Sequence, residues 1–353
     1  MKVAIMGYGV VGKGCAAVLK MNEEKITASS GDALELKYIL DLRDFPGDVN
    51  ADKVIHDFTI LENDPEISLV AEVMGGIRAA YDYTKRLLKA GKSVVTSNKE
   101  LVATYGDELL TLAAENHVQY RFEASVGGGI PVLAPIEDCL TANQITGIAG
   151  IVNGTTNYIL TQMKKGLDFA SALKDAQQKG YAEADPTADI EGHDACRKIC
   201  ILAAEAFGVL IAPDAVYTEG ISSITTDDIL RAEKHGKVIK LLAQAYLLED
   251  EQIHLSVMPF AVNKEHPLAC VDGVFNAVML CGNAVGDVMF YGQGAGSLPT
   301  ASAVVADMIH IASHRESPSV KRLWLRDNSR YTDAMPVSAL EGLGEPLHEK
   351  ALY

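Results

Sequence analysis

The chain has 353 residues, 48% hydrophobic and 22% charged, enough for two domains with real cores. Its net charge of −16 argues against nucleic acid as a partner, because phosphate binding leans on an excess of Lys and Arg. The longest nearly apolar run, Ile199 to Ala212, is broken by Glu205 and too short to span a membrane. The six cysteines form no CxxC pair, which fits reduced thiols of a cytoplasmic protein.

KVAIM at 2–6 predicts a buried strand, and CAAVLK a helix after it. Between them Gly7, Gly9 and Gly12 form GxGxxG in the strand-to-helix context that a dinucleotide loop requires. Gly7 permits the turn, Gly9 admits a pyrophosphate, and Gly12 lets helix and strand pack closely. A signal peptide fits these glycines less well. The next strand is read at Leu36–Leu42. An acid at its end suits the ribose of NAD and an arginine the 2′-phosphate of NADP. Asp41, Arg43 and Asp44 occur together, so both cofactors stay open, with a lean to NADP through Arg43.

Two more strands end in LVAEVMGG (69–76), with Gly75, and in KSVVTSNKE (92–100), with Thr96, Ser97 and Lys99. In an open parallel sheet these carboxyl ends face the ligand. In YRFEASVGGGIPV (120–132) the strand is read to end at Glu123, before three glycines. One carboxylate beside glycine-rich carbonyls can hold a monovalent cation, or simply cap a tight loop. The residues alone leave both open.

The pattern changes after about residue 135. GIAGIVNGTTNYILTQM (147–163) reads as strand, polar turn at Asn153–Asn157 and helix, the turn suited to a small polar substrate. FASALKDAQQKG is a helix stopped by Gly180, and residues 195–208 form another, closed by Gly208. Between them GYAEADPTADIEGHDACRK places five carboxylates before Lys198. Its spacing is not that of an EF-hand, and no HExxH or Cys/His cluster occurs. Asp194 and Lys198 lie four apart and share a helix face, although Asp194 alone could be a plain helix cap. GQGAGS (292–297) is a second glycine-rich loop, leading through Thr300 into a helix Ala301–Ala312 that could return to the first domain. The expected organisation is α/β: a Rossmann-type domain over 1–134, completed at about 298–315, an α+β second domain over 135–297, and a peripheral tail at 316–353.

Taken in order, GYGVVGKG, EVMGG, GKSVVTSNKELVA, FEASVGGGIP, GIVNGTTNYIL, GYAEADPTADIEGHDACRK and FYGQGAGSLPTASAVVAD make the chain resemble homoserine dehydrogenase over about residues 1–315. The resemblance implies reduction of L-aspartate 4-semialdehyde to L-homoserine with NADPH or NADH, on the route to threonine and methionine. It implies Lys198 as catalytic lysine, with Lys99 near nicotinamide and substrate. It implies Glu183 and Asp194 as ligands of the amino group. From the residues themselves, Asp189 shapes and caps the loop or supports Lys198, and Thr155 belongs to the turn suited to the substrate. Val10, Val11, Gly180 and Gly294 fall to the cofactor, and Glu123, Val126, Gly128 and Ile130 to a sodium site built mostly of carbonyls. The resemblance implies a homodimer, with 135–297 as the substrate and dimerisation domain. An ACT domain and an aspartate kinase segment, carried by some members, are not expected here. Two readings stand beside this one: another amino-acid or semialdehyde dehydrogenase on the same cofactor domain, which would need a nucleophilic cysteine if acylating, and a non-enzymatic dinucleotide sensor.

Overall fold

The computed structural model describes residues 1–315, 322–336 and 342–347. The chain divides into two compact units, 1–133 with 295–325, and 134–294 with the described residues from Arg326 on.

The first unit alternates strand and helix: β1 (Lys2–Met6), α1 (Val10–Met21), α2 (Glu23–Ser30), β2 (Glu35–Leu40), β3 (Val54–Ile55), α3 (Phe58–Asn63), β4 (Ile67–Glu72), α4 (Arg78–Lys89), β5 (Ser93–Thr96), α5 (Lys99–Glu115) and β6 (Tyr120–Arg121). The six strands are parallel, in the order β3-β2-β1-β4-β5-β6. The central strands are apolar without alternation because helices cover both faces; Val3, Ala4, Ile5, Leu69, Val70 and Ala71 are all fully buried. The expected strand at 120–123 stops at Arg121, and Glu123 opens a single 3₁₀ turn, Glu123–Ser125.

After a helical turn at Pro135–Cys139, the second unit continues with β7 (Ile145–Ile151), α6 (Gly154–Lys164), α7 (Phe169–Gln178), α8 (Thr187–Ile190) and α9 (His193–Phe207). Then come β8 (Val209–Leu210), β9 (Tyr217–Thr218), α10 (Thr226–Lys234), β10 (Lys237–Leu247), β11 (Ile253–Asn263), β12 (Phe275–Gly282) and β13 (Gly286–Gln293). The main sheet runs β13-β12-β7-β10-β11, antiparallel throughout. Its two 11-residue strands, β10 and β11, carry the core residues Val238, Leu242, Met258, Phe260 and Val262. Lys240 is fully buried on β10, where it donates to Asp272 Oδ1 at 2.9 Å and to Asn157 Oδ1 at 3.2 Å. A buried ammonium persists only with such partners.

The chain then returns to the first unit as α11 (Ser297–Ser313), four residues earlier than the expected helix. Small residues let α11 lie against α1: a Cβ on Gly14 would stand 2.7 Å from Ser297 O and 3.0 Å from Ala301 Cβ. Asp307 of α11 pairs with Arg121 Nε at 3.0 Å and accepts Glu123 N–H at 2.8 Å.

The tail was expected to be peripheral, but its described parts are built in. Trp324 packs edge-on against Phe122 at 5.1 Å and fills the space a side chain at Gly106 would need. Residues 331–332 pair parallel with β11, and 344–346 antiparallel with it. The rest of the expected tail, 316–321, 337–341 and 348–353, lies outside the described residues.

Candidate active site

In the first unit β1 ends at Met6 and α1 starts at Val10, leaving Gly7, Tyr8 and Gly9 as the turn. Gly7 has φ 92°, and a Cβ there would come within 2.9 Å of Val73 O. Gly12 is tighter still, since a Cβ would fall 2.0 Å from Gly7 O. At Gly9 a Cβ would meet nothing within 4 Å, so open space lies before the turn. No side chain caps α1, whose first N–H groups and positive dipole end suit a phosphate. Val10 is exposed beside it and Val11 half-buried. These features fit the pyrophosphate of a dinucleotide.

Asp41 directly follows β2. Its Oδ2 accepts Tyr8 N–H at 2.7 Å, and its two oxygens take Arg43 Nε and a terminal guanidinium nitrogen at 3.0 Å each. The guanidinium beside Asp41 is the largest influence holding its carboxyl well below the usual range. Arg43 itself remains largely exposed.

The loops after β4 and β5 carry Gly75, Thr96, Ser97 and Lys99. Gly75 borders open space, Ser97 N–H reaches back to Glu72 O at 3.4 Å, and Lys99 is the first residue of α5. Asn98 caps that helix by accepting Leu101 N–H at 3.1 Å.

The glycine-rich loop after β6 has Gly127 and Gly128 both at positive φ, 71° and 57°. Glu123 Oε1 accepts two backbone N–H groups, from Val132 at 2.7 Å and Leu133 at 3.0 Å. Val126 and Ile130 are buried in the same loop. Glu123 thus closes the loop through its side chain, as a capping carboxylate does. Among the described residues no group of three or more His, Cys, Asp or Glu side chains could hold a metal.

In the second unit the expected polar turn at 153–157 is tighter than read. Asn153 is the N-cap of α6, and Gly154 to Asn157 form its first turn. The Asn153 side-chain Oδ1 accepts Thr156 N–H at 2.8 Å. Its amide nitrogen donates to Asp189 Oδ1 at 2.7 Å and to Asp194 Oδ2 at 2.9 Å. Lys198 Nζ donates to the same Asp194 oxygen at 2.6 Å and to Val152 O at 2.8 Å. Asp194 sits in the first turn of α9, whose N-cap is Gly192, so it pairs with Lys198 rather than capping. Burial lifts the Asp189 carboxyl; the Asp194 charge adds to this and the Asn153 amide opposes it. Thr155 Oγ1 donates to Tyr181 O at 2.7 Å, fastening the loop that follows Gly180 at φ 74°.

Thus Asp189, Asp194 and Lys198 come together, and Thr155 holds the next loop. Glu183 lies exposed on that loop, its backbone carbonyl taking Gln177 Nε2 at 3.1 Å. At Gly294 a Cβ would stand 2.1 Å from Asn276 Cγ, so the glycine exists to admit that buried amide. Asn153, Asn276 and Glu72 were not singled out from the sequence. For Asn153 the available signal was its place between a strand and a GTT helix start. Cys196 and Cys200 are buried on α9, and the Cys196 contact together with burial pushes the Cys200 thiol well up. Neither is presented as a nucleophile.

A six-stranded parallel sheet with this loop at the carboxyl end of β1, and a second unit that buries a lysine–carboxylate pair, define a nicotinamide-dependent oxidoreductase. The family described as homoserine dehydrogenase matches residues 131–309, and the homoserine dehydrogenase NAD binding domain matches residues 7–123. The chain belongs to the homoserine dehydrogenase family, oxidoreductases acting on a CH–OH group. It is 41% identical over 351 residues to the homoserine dehydrogenase of a Synechocystis species, covering 96% of this chain and 81% of the relative. With that of Pseudomonas aeruginosa it shares 43% identity over 325 residues, 92% of this chain and 75% of the relative. The crystal structure of a homoserine dehydrogenase from Thiobacillus denitrificans superposes with a TM-score of 0.86 at 40% identity, over 94% of this chain and 78% of that one. A hyperthermophilic archaeal homoserine dehydrogenase mutant, solved with NADPH, has a TM-score of 0.75 at 29% identity, over 88% and 97%. Among the described residues no helix is long and apolar enough to cross a membrane.

Proposed function

We propose that Lys198 is the proton donor for the reversible reduction of L-aspartate 4-semialdehyde to L-homoserine, with Asp194 as its partner. The observation that carries this is the buried Lys198–Asp194 contact of 2.6 Å, whose acceptor oxygen also takes the Asn153 amide. When bound, the nicotinamide supplies the hydride. Negative charge then grows on the aldehyde oxygen, and an ammonium held in place stabilises that charge and gives up its proton. Asp194 and Glu183 bind the substrate ammonium, Asp189 and Thr155 support the pocket wall, and Lys99 orients the carboxylate or serves as the second proton donor.

The cofactor reading assigns Gly7, Gly9, Val10, Val11 and Gly12 to the pyrophosphate, Arg43 to a 2′-phosphate, and Gly75, Thr96, Ser97, Lys99, Gly180 and Gly294 to the nicotinamide half. Open space at Gly9 and Gly75 supports it. Sodium or potassium at Glu123, Val126, Gly128 and Ile130 is supported by the buried carboxylate of Glu123 beside a tight loop with glycines 127 and 128 at positive φ. A homodimer is supported by edge strand β13, which exposes Met289 and Tyr291, with Val285 exposed just before it. A cytoplasmic enzyme of threonine and methionine synthesis agrees with six free cysteines.

The test is a spectrophotometric assay of homoserine oxidation with NAD and NADP in turn, with and without sodium or potassium. Turnover that is lost in Lys198→Ala while cofactor binding persists is the expected result. Full turnover in that variant removes Lys198 from the role.

A further inference from the structure

Glu72 is the last residue of β4 and is fully buried, yet none of the chemistry above uses it. Its Oε1 accepts Met74 N–H at 2.8 Å, and its Oε2 accepts the Thr96 hydroxyl at 2.6 Å. Thr96 Oγ1 in turn accepts Asn98 N–H at 2.9 Å, and Asn98 Nδ2 donates to Gly76 O at 2.7 Å. The circuit Glu72–Thr96–Asn98–Gly76 therefore closes the loops after β4 and β5 onto each other. The Gly7 turn lies on the same backbone, since a Cβ there would meet Met74 N at 3.0 Å.

We propose that Glu72 is a positioning residue: its carboxylate locks the loops after β4 and β5 in the arrangement that receives the dinucleotide, and its protonation releases that lock. This rests on the reading that those loops take the cofactor.

The argument is one of donors and acceptors. As a carboxylate, Glu72 meets a donor at each oxygen, and the Thr96 hydroxyl donates to it while accepting from Asn98. Once protonated, Glu72 must donate. Met74 N–H occupies one side, so the new bond runs to Thr96 Oγ1, which already accepts from Asn98 and whose own hydrogen then loses its acceptor. Each unmet buried group has a cost, so the loops shift to relieve it. The groups set against Glu72 are Met6 from β1, Thr96 from β5 and Tyr120 from β6. Tyr120 is buried and pushed well above its usual value, so it stays neutral. Burial lifts the Glu72 carboxyl to about 7, against the opposing bonds from Thr96 and Met74, which puts the change of charge in the neutral range.

The experiment titrates NADH and NADPH fluorescence against wild type, Glu72→Gln and Ser97→Trp from about pH 6 to about pH 8. Wild type should bind each cofactor roughly three- to tenfold tighter at the upper end, the worth of one hydrogen bond. Glu72→Gln carries the donor and acceptor of the protonated acid, so it should stay at the weak value. Any step from the NADPH 2′-phosphate persists in Glu72→Gln and divides out. If Glu72→Gln follows the wild-type pH dependence, the proposal is overturned. If Glu72→Gln does not fold, Thr96→Val, which removes the relaying hydroxyl, must abolish the same step; a step that survives overturns the proposal equally. Ser97→Trp separates the two ideas, because wild-type affinity there would refute the cofactor reading itself.

Discussion

Lys198 follows Asp194 by one helical turn, and its Nζ lies 2.6 Å from Asp194 Oδ2 with both side chains buried. The pair is held where α9 begins, so the lysine cannot swing away without leaving a buried carboxylate short of a partner. Lys198→Ala should therefore lower kcat by about 10²–10⁴ with cofactor affinity unchanged. Steady-state rates alongside a cofactor titration check this. A loss confined to KM would point to substrate binding instead.

Asn153 joins two acids. Its amide bridges Asp189 and Asp194, so Asn153→Ala removes a donor from each and should cost about 1–3 kcal/mol of stability. Asp189, already lifted by burial, should rise further. Urea unfolding gives the first effect, and the acidic limb of the activity profile gives the second.

Arg43 is held in line by Asp41 and stays exposed. Arg43→Ala should raise KM for NADPH by about 10- to 100-fold, the worth of a charge-assisted bond to a phosphate, with little change for NADH. Equal effects on both cofactors would remove Arg43 from the choice between them.

The glycines of the first turn separate structure from binding. Gly9→Ala meets no atom within 4 Å and should melt like wild type while weakening both cofactors. Gly12→Ala places a Cβ 2.0 Å from Gly7 O and should destabilise the first unit by about 1–3 kcal/mol. Thermal melts without cofactor distinguish the two, and a Gly9→Ala protein with full cofactor affinity would contradict the pyrophosphate assignment.

His254 is fully buried on β11, and burial lowers its imidazole from 6.5 to about 4. The unfolded chain then takes up the proton first. This residue's contribution is whole above about pH 6.5 and is lost as pH falls toward about 4, up to about 3 kcal/mol. Glu72 acts in the opposite sense: its raised carboxyl favours the fold below 4.5 and that contribution fades as pH rises to about 7. His254→Phe should flatten the fall in melting temperature between about pH 6.5 and about pH 4, and an unchanged fall would assign it to other groups.

Much of the molecule was legible from local order alone. A glycine-rich turn between a strand and a helix must look as it does at residues 7–12, because Gly7 needs a positive φ and Gly12 has no room for a Cβ. Asp194 and Lys198 share a face because helical spacing puts every fourth residue there. The seven ordered motifs carried the family, since each is a local pattern fixed by its own backbone.

What the sequence left open depended on partners far away in the chain. Glu72 reads as one acid in an apolar strand, and only the approach of Thr96, 24 positions on, makes it the centre of a circuit. Asn153 looks like a turn residue until Asp189 and Asp194 are brought to its amide, 36 and 41 positions later. The charged tail reads as peripheral, yet 331–332 and 344–346 add strands beside β11 and Trp324 fills the space at Gly106. Spacing along a helix or turn is set by covalent geometry, whereas strand pairing and buried hydrogen bonds are set by the fold. The first was therefore written in the sequence, and the second was decided by the tertiary structure.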